Sequence, residues 1–226
     1  MAKYVSAGAE VTLVTCTLGE EGEIIPKGLD QLGAWASDQL GGYRAWELAG
    51  ALRALSVTGH RFLGGIGHWR DSGMVGTASI EHARAFAGGS LAEQADQLRE
   101  ILRERKPQVV VTYNSFGGYG HPDHIRAHEV TMAAVADFPS VKRVFQIASG
   151  GGSVAVPDAE PTTVIDIRDQ LDAKIEALRA HATQVAVDPP TFALSNGEPQ
   201  PIAETEQYVL VRGSAVGAEV DLFGGL

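Results

Sequence analysis

The 226-residue sequence predicts an α/β protein, a Rossmann-like three-layer sandwich with a largely parallel sheet. Three observations point there. Short β-branched apolar runs alternate with longer segments of helical period. Polar, glycine-containing loops follow the runs, at the place where open α/β sheets bind ligands. Hydrophobic residues make up 44% and charged residues 20%, the balance of a globular chain long enough for a substantial core. A single domain over residues 1–226 is expected.

AKYVSAGAE, residues 2–10, reads as the last turns of a helix that stops at Gly8. About two turns of helix are marginal alone. In a parallel α/β sheet such a helix follows a strand, so the pattern predicts a strand, and the start of this helix, ahead of Met1. VTLVTC (11–16) is a nearly continuous apolar run, suited to a strand buried on both faces. TLGEEGE follows as a polar loop. YRAWELAGALRALS (43–56) has helical spacing, RFLGGIG reads as a short strand, and HWRDSGMVGT as an irregular loop. SLAEQADQLREILRERKP predicts a helix capped by Ser90, boxed by Glu93 and stopped by Pro107. QVVVTYN (108–114) is a second buried strand. HPDHIRAHEVTMAAVADF is a helix with Pro122 in its first turn, where the missing N–H costs little. VKRVFQIA and TTVIDI are strands, IRDQLDAKIEALRAHAT (167–183) an amphipathic helix, and QYVLVRG an edge strand. SGGGS (149–153) reads as a loop.

Acidic residues outnumber basic ones, 28 to 18, giving a net charge of −10 with no basic stripe. Nucleic acid and anionic membranes are therefore not expected partners. Cys16 is the single cysteine, which excludes a disulfide framework and suits a reduced compartment. No stretch is long and apolar enough to span a bilayer, and a signal-peptide pattern is absent, so a cytoplasmic setting is expected.

The densest chemistry is NSFGGYGHPDHIRAH (114–128). His121, His124 and His128 stand at i, i+3 and i+7, one face of a helix that begins just past a strand. Neutral imidazoles there suit zinc, with Asp123 as a ligand or as an orienting neighbour. The same H-x-x-H spacing is also that of surface histidines on a helix. His128 reads as a packing or surface residue, and Glu20, Glu21 and Glu23 as a solvated loop.

GGYGHPDHIRAH, with TCTLGEEGEII upstream, resembles the LmbE/PIG-L family of zinc-dependent N-acetylglucosaminyl deacetylases. The likeness continues through DQLGGYRAWELAGALRAL, LGGIGHWRDSGMVGT, VVVTYN and LRAHATQV. It is strongest to the branch that deacetylates N-acetylglucosaminyl-inositol in mycothiol biosynthesis. The resemblance implies a hydrolase acting on a small-molecule amino sugar, with Zn2+, or Fe2+ in its place. It implies His124 as a metal ligand and His121 as the general acid or oxyanion-stabilising imidazole. Asp123 would hold the His121 tautomer, and Tyr119 would donate to the oxyanion. Arg44 and Asp71, with Glu23 nearby, would hold sugar and inositol hydroxyls. The family's A-H-P-D-D-E motif has no counterpart here, so two expected zinc ligands and the general base are missing. That agrees with a strand preceding Met1. The stretch between Phe138 and Thr162 is shorter than in close relatives, and it helps wall the substrate pocket. The sister amidase of mycothiol S-conjugates is the alternative within this chemistry. A non-catalytic sugar-binding protein is the alternative if the chain starts at Met1.

Overall fold

The computed structural model describes residues 1–148 and 160–226; the expected loop at 149–153 lies outside them, as does part of the stretch between Phe138 and Thr162. The elements are α1 (Ala2–Ser6), β1 (Thr12–Thr15), α2 (Leu40–Ala54), β2 (Gly59–Phe62), α3 (Leu91–Arg105), β3 (Val109–Thr112) and a short turn of helix α4 (Gly117–Gly120). They continue with α5 (Pro122–Val135), β4 (Arg143–Ile147), β5 (Thr163–Asp166), α6 (Leu171–Ala180), β6 (Ala186–Asp188), β7 (Thr191–Ala193), β8 (Pro199–Pro201) and β9 (Thr205–Arg212). Strands and helices alternate as in a Rossmann-like α/β sandwich. The chain divides into two units: Met1–Asp71 with Ile167–Glu204, and Ser72–Asp166 with Thr205–Leu226.

In the first unit β1 and β2 pair in parallel, Thr12 opposite Gly59 and Thr15 opposite Phe62. α1 ends as its sequence predicts: Gly8 takes φ +88°, and the N–H of Ala9 reaches back to the carbonyl of Tyr4. α2 packs on α6, and its buried residues include Leu40, Ala51 and Leu52. β6, β7 and β8 form a small antiparallel sheet. The expectation that β1 is buried on both faces is corrected, since every residue of it is half-buried. Among the described residues it has a neighbour, β2, along one edge only.

The second unit holds a four-stranded sheet in the order β3-β4-β9-β5. β3 and β4 are parallel, while β9 runs antiparallel to both of its neighbours, so this sheet is mixed. β9 was expected at an edge; it is interior, because β4 and β5 flank it on either side. β3 ends the sheet and is less buried than its apolar run suggested, with Val111 exposed. α3 starts where Ser90 Oγ accepts the N–H of Glu93 and ends at Lys106, in the left-handed region. Its buried positions, Gln94, Ala95, Leu98 and Leu102, fall on the side that packs on α5, and α5 in turn lies on β3.

Arg143, at the start of β4, is fully buried. Its guanidinium donates to the carbonyls of Ser214 (2.8 Å), Leu222 (3.1 Å) and Val216 (2.7 Å), gathering the C-terminal segment onto the sheet. Replacing Arg143 with Ala strands three carbonyls and opens a cavity. The expected loss is about 3 kcal/mol of unfolding free energy, read from urea denaturation; a change below about 1 kcal/mol contradicts this clamp.

Candidate functional site

In the second unit the candidate residues gather where β3 runs into α5. Pro122 occupies the first helical position, and His121 is the N-cap, with extended backbone (φ −67°, ψ 127°) rather than a place on the helix itself. The N–H of Asp123 donates to His121 Nδ1 at 3.2 Å. That nitrogen therefore carries its lone pair, and the neutral ring has its proton on Nε2. Asp123 was expected to hold this tautomer, and the bond to Nδ1 comes from its peptide N–H. The buried Asp123 carboxylate accepts the N–H of the equally buried Ser72 at 3.0 Å through Oδ2. This ties the 72–87 loop to the helix start, and Ser72 Oγ extends the tie by accepting the N–H of Ala87.

His124 has the opposite arrangement. Its Nδ1 lies 3.1 Å from the carbonyl oxygen of Gly117. A carbonyl only accepts, so Nδ1 bears the proton and Nε2 keeps the lone pair. The two imidazoles stack, with ring centroids 4.7 Å apart and planes at 27°. Tyr113 stacks on His124 at 4.1 Å and 7°, clamping the ring's rotation. Tyr119, half exposed, meets both histidines edge-on, at 6.0 Å from His121 and 5.3 Å from His124. Thus two stacked rings present a donor nitrogen and an acceptor nitrogen. His128, one turn further along α5, donates from Nδ1 to the carbonyl of Tyr113 (3.0 Å). It is a packing residue that fastens the same loop, as its sequence position suggested.

The loop itself is organised by Asn114. Its Oδ1 accepts the N–H groups of Phe116 (3.1 Å) and Gly118 (3.0 Å). Gly117 at φ +67° and Gly118 at φ +75° take conformations open to glycine. A Cβ on Gly117 would press on the backbone of Ile125.

In the first unit, the TLGEEGE loop is built around Arg44. The guanidinium donates to the carbonyls of Gly19 (2.5 Å) and Glu23 (3.1 Å). A Cβ at Gly22 would fall inside that guanidinium, so the second glycine of the loop makes room for the cation. Glu20 and Asp71 exchange bonds: Glu20 Oε2 accepts the N–H of Asp71 (3.1 Å), and Asp71 Oδ2 accepts the N–H of Glu21 (3.3 Å). Arg70 grips Glu21 (2.7 Å) and Asp38 (2.7 Å), which raises its pKa above the ordinary arginine value, the bond to Asp38 being the largest cause. Burial lowers the Arg44 pKa, opposed by the charges of Asp71, Glu47 and Glu20. Arg44 and Asp71 are buried, and these bonds hold the loop; the side chain of Glu23 is exposed.

Glu47 and Thr183 escaped the sequence reading. The Glu47 carboxylate, almost fully buried, takes both the N–H and the hydroxyl of Thr183 at 2.7 Å. The Thr183 carbonyl then accepts the N–H of Ile25 (2.9 Å). A signal was available: Leu40, Arg44, Glu47 and Ala51 share one helical stripe, so two charged residues occupy core positions. Tyr113 and Asn114 were likewise read as the end of a strand. An Asn three residues before a pair of glycines was the cue for a side chain that bonds its own backbone.

His124 offers a nitrogen of the tautomer that a metal requires. Among the described residues, however, no group of three or more His, Cys, Asp or Glu side chains is arranged to hold a metal ion. The zinc site implied by resemblance thus has one candidate ligand here, and the remaining residues do not complete it. Also among the described residues, no helix is long and apolar enough to cross a membrane.

The model of the PIG-L family, described as GlcNAc-PI de-N-acetylase, matches residues 1–135. The chain belongs to the PIG-L family. Deacetylases of this family are metal-dependent. A 1D-myo-inositol 2-acetamido-2-deoxy-alpha-D-glucopyranoside deacetylase of Actinosynnema mirum is 54% identical over 255 aligned positions, spanning all of this chain and 90% of the relative. The aligned stretch is longer than the chain, so that relative has residues without counterpart here. Further relatives at 45–52% identity bear the same name. A deacetylase–teicoplanin complex from teicoplanin biosynthesis has 21% identity and a TM-score of 0.60, covering 94% of this chain and 91% of that one. A 4-carboxy-2-hydroxymuconate hydratase from Pseudomonas putida reaches a TM-score of 0.62 at 16% identity, over 94% and 88% of the two chains. These two likenesses carry the fold alone, and the fold hosts more than one chemistry.

Two imidazoles of the first unit titrate low. His60 is lowered by burial and then by Arg61; His181 is lowered by burial and by Arg44, against the pull of Glu47. His181 Nδ1 is buried without a hydrogen-bond partner among the described residues. Below the ordinary value of 6.5 the unfolded chain binds protons that the folded chain refuses. Stability is therefore full above that pH and is lost as pH falls toward the lowered folded values. The urea midpoint should drop on acidification below 6.5, and His181→Gln should flatten the drop; an unchanged slope contradicts the assignment.

Proposed function

We propose that this PIG-L family chain removes the acetyl group from 1D-myo-inositol 2-acetamido-2-deoxy-alpha-D-glucopyranoside, a step of mycothiol biosynthesis carried out in the cytoplasm. The observation that carries the substrate is the 54% identity along the whole chain to a deacetylase of that name. The chemistry is supported by the opposed tautomers of His121 and His124.

Hydrolysis of an acetamide adds water to the carbonyl carbon, places negative charge on its oxygen, and then breaks the C–N bond as the amine takes up a proton. His121 Nε2–H and the Tyr119 hydroxyl are the donors for that oxyanion. Preorganised donors of this kind are commonly worth about 10²–10³ in rate. A neutral, N–H-bearing His121 suits the oxyanion role better than that of general acid, because its Nδ1 already accepts the Asp123 N–H. Asp123 acts through position, with its peptide on His121 and its carboxylate on Ser72. His124 Nε2 is the lone pair that this chain contributes to a divalent metal, zinc or ferrous iron; no step is derived through that ion. The family resemblance is what supports Glu23, Arg44 and Asp71 as residues for sugar and inositol hydroxyls; within the first unit the bonds of Arg44 and Asp71 hold the TLGEEGE loop.

The test is acetate release from the named sugar, run beside cleavage of a mycothiol S-conjugate. Preferential acetate release supports the reading; preferential S-conjugate cleavage overturns the substrate, and no hydrolysis of either overturns the reaction class. In an active protein, His121→Ala should lower kcat by about 10²–10³ with bound zinc retained. His124→Ala should lower both kcat and the zinc content of the purified protein. Zinc lost from the His121 variant, or fully kept in the His124 variant, reverses the two roles.

A further inference from the structure

We infer that Asn114 is a positioning residue that sets the tautomer of His124, acting through the single peptide group joining Gly117 to Gly118. That peptide is held from both ends. Its N–H donates to Asn114 Oδ1 at 3.0 Å, and its carbonyl accepts from His124 Nδ1 at 3.1 Å. In a trans peptide the N–H and C=O point in opposite directions, so one bond fixes the direction of the other.

The peptide needs such a hold because both of its flanking residues are glycines. A flip of the peptide plane is absorbed by the backbone angles on either side, and with no Cβ at Gly117 or Gly118 little steric barrier opposes it. Gly118 stands at φ 75°, ψ −71°, outside any regular helix. After a flip the group facing His124 Nδ1 would be an N–H rather than a carbonyl. The ring would answer by moving its proton to Nε2, and the lone pair on Nε2 would be lost.

The orientation of the Asn114 amide is itself unambiguous. Two N–H groups, of Phe116 and Gly118, converge on one of its terminal atoms, so that atom is oxygen. The other, Nδ2, is buried and has no hydrogen-bond partner among the described residues, in a side chain that is only 7% exposed. An orphaned buried donor is costly. The side chain is therefore kept for its oxygen, and an aspartate, which presents an oxygen in the same place, should be able to stand in for it.

The proposal rests on the deacetylase reading only for its effect on turnover. Its direct test does not. Full-length protein labelled with 15N in histidine is treated with a chelator and examined by long-range 1H–15N spectroscopy at about pH 8, where an ordinary imidazole is neutral. Wild type should show His124 protonated on Nδ1, and Asn114→Asp should keep that signature. Asn114→Ala, with an unchanged backbone spectrum elsewhere, should move the proton wholly or partly to Nε2. On the deacetylase substrate, kcat of the Ala variant should fall about 10- to 100-fold, the scale of losing a group that orients a functional imidazole, with KM little changed. His124 protonated on Nε2 in wild type, or still on Nδ1 in the Ala variant, overturns the inference. If the Ala variant does not fold, the Asp variant decides: Nδ1 protonation retained supports the role, and its loss refutes it. A wild type that shows the expected tautomer but releases no acetate removes the deacetylase reading and leaves the Asn114 role intact.

Discussion

The bond from His124 Nδ1 to the carbonyl of Gly117 ties helix α5 to the loop that leaves β3, and the chemistry of the second unit depends on it. It leaves the other nitrogen of His124 with a lone pair and keeps the ring in stacking range of Tyr113 and His121. Three residues away, an N–H from the first turn of the same helix reverses the situation at His121. At both histidines a backbone group meets Nδ1. The Asp123 carboxylate anchors the neighbouring loop through Ser72.

The first unit solves a different problem, that of burying a cation and several carboxylates in one place. Isolated buried charges are expensive. Here the cost is offset by hydrogen bonds, mostly to backbone: Arg44 donates to two carbonyls, Glu20 accepts the N–H of Asp71, Asp71 accepts that of Glu21, and Glu47 accepts the N–H and hydroxyl of Thr183. The result is a loop whose shape is set by ionic hydrogen bonds, the stronger kind. The glycines at 19 and 22 follow from the same demand, because a side chain at either would occupy the space of the Arg44 guanidinium.

Much of this was legible in the sequence, and the limits of legibility have physical causes. The alternation of elements, the Ser90 cap, Pro122 at the helix start and the glycine stop after α1 rest on local rules, and each holds. Strand position rests on long-range pairing, which local pattern does not encode; hence β9 lies inside a sheet rather than at its edge, and β1 is only half-buried. The grouping of Tyr119, His121 and His124 followed from their nearness in sequence. The contributions of Glu47 and Thr183 did not, since they meet across 136 positions. Asn114 sat in plain view but was read as the end of a strand, because its function lies in hydrogen bonds to its own loop rather than in any periodicity.

The measurement that bears most directly on the account is assignment of the ring nitrogens of His121 and His124 in the unmodified protein, in its neutral-histidine range. Opposite signatures are predicted, with His121 protonated on Nε2 and His124 on Nδ1. The same protonated nitrogen on both rings would contradict it, because the pair would then no longer present one donor and one acceptor.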